Sequence, residues 1–443
     1  MSPRRNDTPA LPRRELLRGL GALGLVGALA PGSGARAAAP PVADALALAL
    51  VGAEVHVGDG TVIPSGVVLT EGARITAVGG PELRPPSGAA VVDLKGKILT
   101  PGLIAADARV GLIEIDLEPG TRDDSGGEGP IRAAYDAGAA INPRSSLIQV
   151  QAIEGITSAA VSPSGGLLSG QVALIDLVYG DRAQMVQRRG VAVRGALGQV
   201  IAGSRAATLA KLREVLDDAR FLRGRKAAYD RRQTRELAAH PRDLEALFPA
   251  LDRKVPLTLE AHGEPDIAAA IELAAAEKLR VVILGGTEAW RLRSELAAAK
   301  IPVIVYPSQN LPGSLDKLGA RLDNAALLSA AGVEVGIACL GDAHNLRNQT
   351  QEAGIAVAYG MDWERALTAV TLTIARAYGV DADYGSVAKG KIANLVTWGG
   401  DPFEHAHYAE QVYIRGAAIP MVSRQTLLRE RYRDLEKIRR RGR

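Results

Sequence analysis

The chain of 443 residues is long enough for two or three ordinary domains, or for one barrel-sized domain with a smaller companion. Of its residues 47% are apolar but only 4% are aromatic, which indicates a core of alanine, valine, leucine and isoleucine, as in large α/β proteins. The chain has 53 basic and 49 acidic residues, of which residues 1–37 hold six and two, so the remainder has 47 of each. This balance of charge argues against a nucleic-acid partner.

Residues 1–37 have the pattern of an export signal. The stretch RRELLR (13–18) is followed by an apolar run (19–30) and by the small-x-small sequence ARA (35–37). Paired arginines ahead of leucines are typical of the twin-arginine type. The apolar run is shorter than the roughly 20 residues that a membrane crossing needs. We therefore expect a cleaved signal peptide, a periplasmic or otherwise exported protein, and no stable membrane span.

Short apolar runs separated by glycine turns predict a small β-structure at both ends of the remaining chain. We expect residues 45–100 and 385–422 to form one composite β-sandwich, followed by a basic, amphipathic C-terminal helix at 423–443. The runs lie at 45–56, 66–70, 75–78 and 90–94, and again at 393–398, 411–415 and 417–420.

Between these ends, apolar runs alternate with amphipathic helical stretches, which is the signature of repeated βα units on a parallel sheet. Eight such runs favour a closed (β/α)8 barrel at 101–384 over an open sheet. The predicted fold class is therefore α/β, a TIM barrel with a small β-sandwich formed from both termini. The candidate strands are 103–107, 157–162, 171–177, 191–194, 255–262, 280–285, 301–306 and 333–339.

Several motifs in a fixed order resemble the amidohydrolase superfamily, and particularly its exported imidazolonepropionase-like members. Each motif alone is weak, but together they extend over most of residues 45–425. They are DLKGK (93–97) before PGLI (101–104), EGIT (154–157), GTEA (286–289), TLTIAR (371–376), and GS (385–386) with GKIANLV (390–396).

The resemblance implies hydrolysis of carbon–nitrogen bonds in cyclic amides or amino-acid derivatives. Members of the family bind one or two divalent metals at the C-terminal mouth of the barrel, through histidines of strands one, five and six and often a modified lysine of strand four. An aspartate after strand eight takes the proton of the metal-bound water. Such a site needs imidazoles and carboxylates around an open coordination position.

At these positions the sequence departs from the family pattern. Strand one offers Asp107 and Arg109 in place of two histidines, and strand four has no lysine. Gly285 stands where strand six should supply a histidine, and a gapless match puts Leu340 at the position of the catalytic aspartate. Fold does not determine chemistry, so activity is expected to be weak or lost.

Two interpretations stay open. In the first, a rebuilt site holds one divalent metal, zinc or manganese. In the second, no metal binds, and Arg109 pairs with an acid where the metal would lie. We prefer the second interpretation because a guanidinium cannot ligate a metal. The second describes a non-catalytic exported protein that binds a small molecule or a partner at the barrel mouth; a homodimer is a further possibility. The expected residues are His262, Glu260 and His344 for the metal, Asp342 as the proton acceptor, and Asp107, Arg109, Asn345 and Arg347 for the ligand.

Overall fold

A computed structural model describes residues 47–127, 129–309, 311–339 and 343–433. The expected signal peptide, the catalytic candidate Asp342 and the last ten residues of the expected C-terminal helix lie outside these ranges. The described strands form two sheets of eight strands each.

The strands and helices follow one another along the chain as the sequence predicts, first short strands, then alternating strands and helices, then strands again. No helix within the described ranges has the length and apolar character that a membrane crossing requires. The strands are β1 (Leu48–His56), β2 (Val62–Glu71), β3 (Arg74–Gly79), β4 (Ala90–Asp93), β5 (Ile98–Pro101), β6 (Leu103–Ala108), β7 (Ile156–Val161), β8 (Leu168–Asp176), β9 (Val186–Ala196), β10 (Leu257–Ala261), β11 (Val281–Gly285), β12 (Val303–Val305), β13 (Val335–Ile337), β14 (Leu395–Trp398), β15 (Ala409–Ile414) and β16 (Ala417–Ala418). The helices are α1 (Ala137–Ala140), α2 (Ser146–Ala152), α3 (Arg182–Met185), α4 (Gln199–Ala202), α5 (Arg205–Asp230), α6 (Pro241–Ala246), α7 (Phe248–Leu251), α8 (Glu264–Glu277), α9 (Arg293–Ala299), α10 (Asn324–Ala330), α11 (Gln349–Ala358), α12 (Trp363–Ala369), α13 (Leu372–Ala377) and α14 (Arg424–Tyr432).

The first sheet joins strands from both ends of the chain in the order β16-β15-β14-β5-β1-β2-β3. Strand β1 pairs in parallel with β4 along its first half and with β5 along its second half. Leu50, Val55, Leu99 and Leu395 pack in its buried core. The predicted fold class, a barrel with a smaller β-structure from both termini, is confirmed, while the domain limits stay a prediction.

The second sheet is the barrel, with strand order β13-β12-β11-β10-β9-β8-β7-β6. Seven of its strands run in one direction, but β8 is antiparallel to both β7 and β9. The expectation of eight parallel strands is therefore wrong at this strand. The physical reason is the short connection at 162–167, because a parallel crossover needs a dozen or more residues and a shorter link returns as a hairpin.

Alternate residues of the barrel strands face two different cores, as a period of two requires. Ile104, Leu174, Leu284 and Ile304 pack together inside the barrel. Their neighbours in sequence, such as Ile283, pack between the strands and the surrounding helices. Polar residues at inward positions near the carboxyl ends of the strands therefore meet at one mouth of the barrel.

The barrel is closed between its first and last strands by a side chain. Gln349, fully buried at the start of α11, donates from Nε2 to the carbonyl oxygens of Ile104 in β6 (2.8 Å) and Ile337 in β13 (3.2 Å). No backbone ladder joins these two strands within the described residues. The amide thus satisfies carbonyls that a β6–β13 ladder would otherwise satisfy.

Candidate functional site

A buried network of charged side chains occupies the carboxyl ends of the barrel strands. Asp107 is the penultimate residue of β6, Arg194 lies near the end of β9, and Glu260 lies near the end of β10. Asp107 and Arg194 are almost completely buried, whereas the Glu260 side chain is 36% exposed. Three strands that are far apart in sequence therefore bring opposite charges together.

Strand geometry explains why these side chains point inward. Arg194 lies two residues after Ala192, which faces the inner core, so both share one face of β9. Between Ala105 and Ala108 the pairing of β6 with β7 slips by one residue, and Asp107 has the left-handed backbone angle φ of 49°. Such bulges re-aim side chains near functional sites.

The guanidinium of Arg194 lies between the two carboxylates. Its Nε donates to Asp107 Oδ1 (2.8 Å), and its NH2 donates to Asp107 Oδ2 (3.2 Å) and to Glu260 Oε2 (2.6 Å). Ser169 Oγ lies 3.4 Å from NH1. These charge-assisted bonds join β6, β9 and β10 across the barrel.

Further side chains complete the shell around Asp107 and Glu260. Arg109 donates from NH1 to Asp107 Oδ1 (3.2 Å), and the Tyr306 hydroxyl lies 3.5 Å from Asp107 Oδ2. His262 Nε2 lies 3.5 Å from Glu260 Oε1, while its Nδ1 forms a hydrogen bond of 2.8 Å with Thr287 Oγ1. Both oxygens of Asp107 are thus engaged by donors.

The electrostatics keep both acids ionised. Burial alone would raise the pKa of Asp107, but the guanidinium groups of Arg109 and Arg194 together lower it below its ordinary value. The hydrogen bond from His262, together with the charge of Arg194, holds the pKa of Glu260 far below its ordinary value against the effect of burial. Burial and the charges of Asp107 and Glu260 raise the pKa of Tyr306, which stays a neutral donor.

A cavity of about 460 Å³ opens beside this network at the barrel mouth. Its volume lies within the range of small-molecule pockets. Arg109 belongs to both the network and the cavity wall, and the other walls come from loops after β6, β7, β12 and β13. The lining includes Asp116, Arg122, Asp124, Ser164, Asn348 and Glu352.

Of the remaining residues expected at the site, one lies in the cavity wall and the others have different partners or lie outside the described residues. Asn345 lines the cavity. Arg347 donates instead to Gln425 Oε1 of helix α14 (2.7 Å), and His344 Nε2 lies 3.9 Å from Asp116 Oδ2. Asp342, the expected proton acceptor, is outside the described residues.

Gly285 has a structural role at the position where the family would place a histidine. Its φ is +89°, and a Cβ built there would lie 2.3 Å from Cε1 of His262. Any side chain at residue 285 would therefore displace the imidazole of His262 and strain the backbone. The observed position of the His262 imidazole therefore depends on a glycine at residue 285.

The divalent metal that the sequence resemblance implies does not fit these residues. Arg194 and Arg109 donate to the carboxylate oxygens of Asp107 that would have to coordinate the ion, and a guanidinium has no lone pair to offer. Elsewhere in the described ranges, no three His, Cys, Asp or Glu side chains are arranged to hold a metal. The network instead holds charged carboxylate and guanidinium groups in fixed positions at the base of the cavity.

Arg194 and Tyr306 belong to the site but were not predicted from the sequence. A signal for Arg194 was present, since a charged residue interrupts the otherwise apolar end of β9. Its partners, 87 and 66 residues away, could not be read from that strand. Tyr306 follows directly after the short apolar strand β12 and looked like ordinary core.

Comparisons with known proteins agree with the fold. A model of the amidohydrolase family matches residues 252–424, and no curated protein matches the chain. The chain is similar to an amidohydrolase from Thermotoga maritima MSB8, with a TM-score of 0.76 and 25% identity over 84% of this chain and 99% of that one. Two further structures share the fold. One is a molinate hydrolase, with a TM-score of 0.52 and 18% identity over 85% of this chain and 95% of that one. The other is a prolidase complexed with N-methylphosphonate-L-proline, with a TM-score of 0.51 and 16% identity over 84% of this chain and 99% of that one. The family model over residues 252–424 and the structural neighbours together support the amidohydrolase superfamily for this chain.

Proposed function

We propose that this protein binds a small molecule at the mouth of an amidohydrolase barrel and does not carry out metal-dependent hydrolysis. One arrangement carries the proposal, the guanidinium of Arg194 bonded to both Asp107 and Glu260. A cation fixed between the two acids takes the place that a metal would need, and the adjoining cavity of about 460 Å³ keeps room for a ligand.

The metal content of the protein tests this proposal. We expect far less than one equivalent of zinc, manganese or iron in protein purified without chelator or affinity metal and analysed by elemental mass spectrometry. His262→Ala and, as a matched control, His405→Ala in an exposed loop should both leave this content unchanged. Near one equivalent that is lost in His262→Ala but kept in His405→Ala would overturn the proposal.

A second candidate is retained hydrolysis of carbon–nitrogen bonds in cyclic amides or amino-acid derivatives. It is supported by the 25% identity to the Thermotoga maritima amidohydrolase and by the proximity of His262 to Glu260. A screen of N-acyl amino acids and cyclic amides, with added zinc or manganese, separates the candidates. Turnover that depends on the added metal and on His262 would favour the hydrolase.

We also propose that the folded protein is exported by the twin-arginine route. The support is the sequence RRELLR followed by the short apolar run and ARA at 35–37. Cell fractionation should find the processed chain outside the cytoplasm. Replacing Arg13 and Arg14 by lysine should retain the unprocessed chain inside; export of this variant at the normal rate would contradict the route.

A further inference from the structure

The guanidinium of Arg109 is held rigidly on one side. Only 4% of the residue is exposed. Its NH1 donates to the carbonyl oxygens of Asp107 (2.8 Å) and Ala108 (3.3 Å) and to Asp107 Oδ1 (3.2 Å). These bonds fix the position and orientation of the whole planar group, because a guanidinium cannot bend.

Its other edge faces the cavity. Among the described residues, the structure records no hydrogen bond from Nε or NH2 of Arg109. Arg109 itself lines the 460 Å³ cavity. Two donors of a buried, positively charged group therefore remain available to a bound molecule.

The same edge binds carboxylates elsewhere in this protein. Arg194 presents Nε and NH2 to the two oxygens of Asp107 at 2.8 and 3.2 Å. Arg122 presents Nε and NH2 to the two oxygens of Asp124, both at 3.2 Å. Two parallel bonds of this kind match the geometry of a carboxylate.

We propose that Arg109 binds the carboxylate of a small monocarboxylate ligand in this cavity through its Nε and NH2. The inference rests on the proposed ligand binding at the barrel mouth and names the ligand class. The ligand's carboxylate lies at the floor of the cavity beside Asp107, and the rest of the molecule extends toward the loops after β6 and β12.

The other charges of the cavity limit the ligand to one negative group. Arg122 is already paired with Asp124, so it adds no free positive charge. Asp116 and Glu352 also line the cavity, and Glu352 accepts hydrogen bonds from Ser308. Two acids near the far end of a bound molecule repel a second anion, so dicarboxylates and phosphate are disfavoured.

A ligand-observed NMR titration of the whole protein tests this class directly. The probes are butyrate and N-acetylglycine, their neutral amides butyramide and N-acetylglycinamide, and the polyanions succinate and inorganic phosphate. We expect both monocarboxylates to bind about tenfold or more tightly than their amides, because only they accept two charge-assisted bonds. Succinate and phosphate should bind more weakly than the monocarboxylates.

Three variants locate the binding. Arg109→Gln should weaken monocarboxylate binding about tenfold or more. Because this change also removes a bond to Asp107, Asn348→Trp serves as a second variant that fills the cavity and leaves the contacts of Arg109 in place. Arg144→Gln, at an exposed position outside the cavity lining, removes the same charge and should bind as the unaltered chain does.

The inference is overturned if the monocarboxylates do not bind, if the amides or polyanions bind equally well, or if binding persists in both Arg109→Gln and Asn348→Trp. These results are independent of the metal analysis. A stoichiometric metal would overturn the proposed function while leaving carboxylate binding by Arg109 intact. Absent carboxylate binding in a metal-free protein would overturn this inference alone.

Discussion

Replacing Arg194 by methionine tests whether the charged network holds the barrel mouth together. The methionine keeps an apolar stem of similar length but removes the donors to Asp107 and Glu260 at 2.8, 3.2 and 2.6 Å. Two carboxylates are then left close together, with Arg109 beside Asp107 and His262 beside Glu260. Removing one partner of a buried ion pair costs about 3–5 kcal/mol, and the remaining Arg109 contact places the expected loss near 3 kcal/mol.

The loss should depend on pH. In the unaltered protein, folding lowers the pKa values of Asp107 and Glu260. Their contribution to stability is therefore fully present above the pKa of these carboxyl groups in the unfolded chain, about 4. It is lost as the pH falls through their pKa values in the folded protein. In Arg194→Met the two facing carboxylates raise each other's pKa. The free energy of unfolding of the variant is therefore lowered most at pH values where both carboxylates are ionised. Its deficit should therefore be larger at neutral pH than in mild acid.

Urea unfolding of the variant at neutral pH and in mild acid provides the measurement. Arg189→Met is the matched control, because Arg189 lies on the same strand, is 53% exposed and pairs with Asp136; it should cost at most about 1 kcal/mol. Adding Glu260→Gln to Arg194→Met should recover part of the loss, since it removes one of the two facing charges. A loss below about 1 kcal/mol, or one independent of pH, would refute the reasoning.

Two further substitutions probe the barrel seam and the strand-six position. Gln349→Leu leaves the carbonyl oxygens of Ile104 and Ile337 without their donor. Chemical denaturation should show that the free energy of unfolding falls by about 1–3 kcal/mol. An unchanged free energy of unfolding would mean that other contacts close the barrel between β6 and β13. Gly285→Ala should destabilise the protein by about 1–3 kcal/mol, because the residue has a φ of +89° and its Cβ would meet His262. Combining it with His262→Ala should recover the part due to the clash, so strictly additive losses in a double-mutant cycle would contradict that contact.

The sequence by itself determined the succession of strands and the inward or outward face of many residues. Hydrophobic periodicity is a local property, so it predicts β6 and β10 without any knowledge of their neighbours in space. The position of Gly285, where the family pattern has a histidine, was equally visible in the sequence. The antiparallel direction of β8 was missed although the short link at 162–167 indicates it.

Only the tertiary structure decided which charges meet. Asp107, Arg194 and Glu260 come from three strands, and the contacts of Arg194 cross 87 and 66 residues. The sequence showed an arginine at the end of an apolar strand but gave no means of choosing its partners. That choice depends on strand order, on the bulge that turns Asp107 inward, and on the cost of burying a charge without an opposite one. Closure of the barrel therefore sets the carboxylates around a guanidinium and leaves one edge of Arg109 facing the cavity.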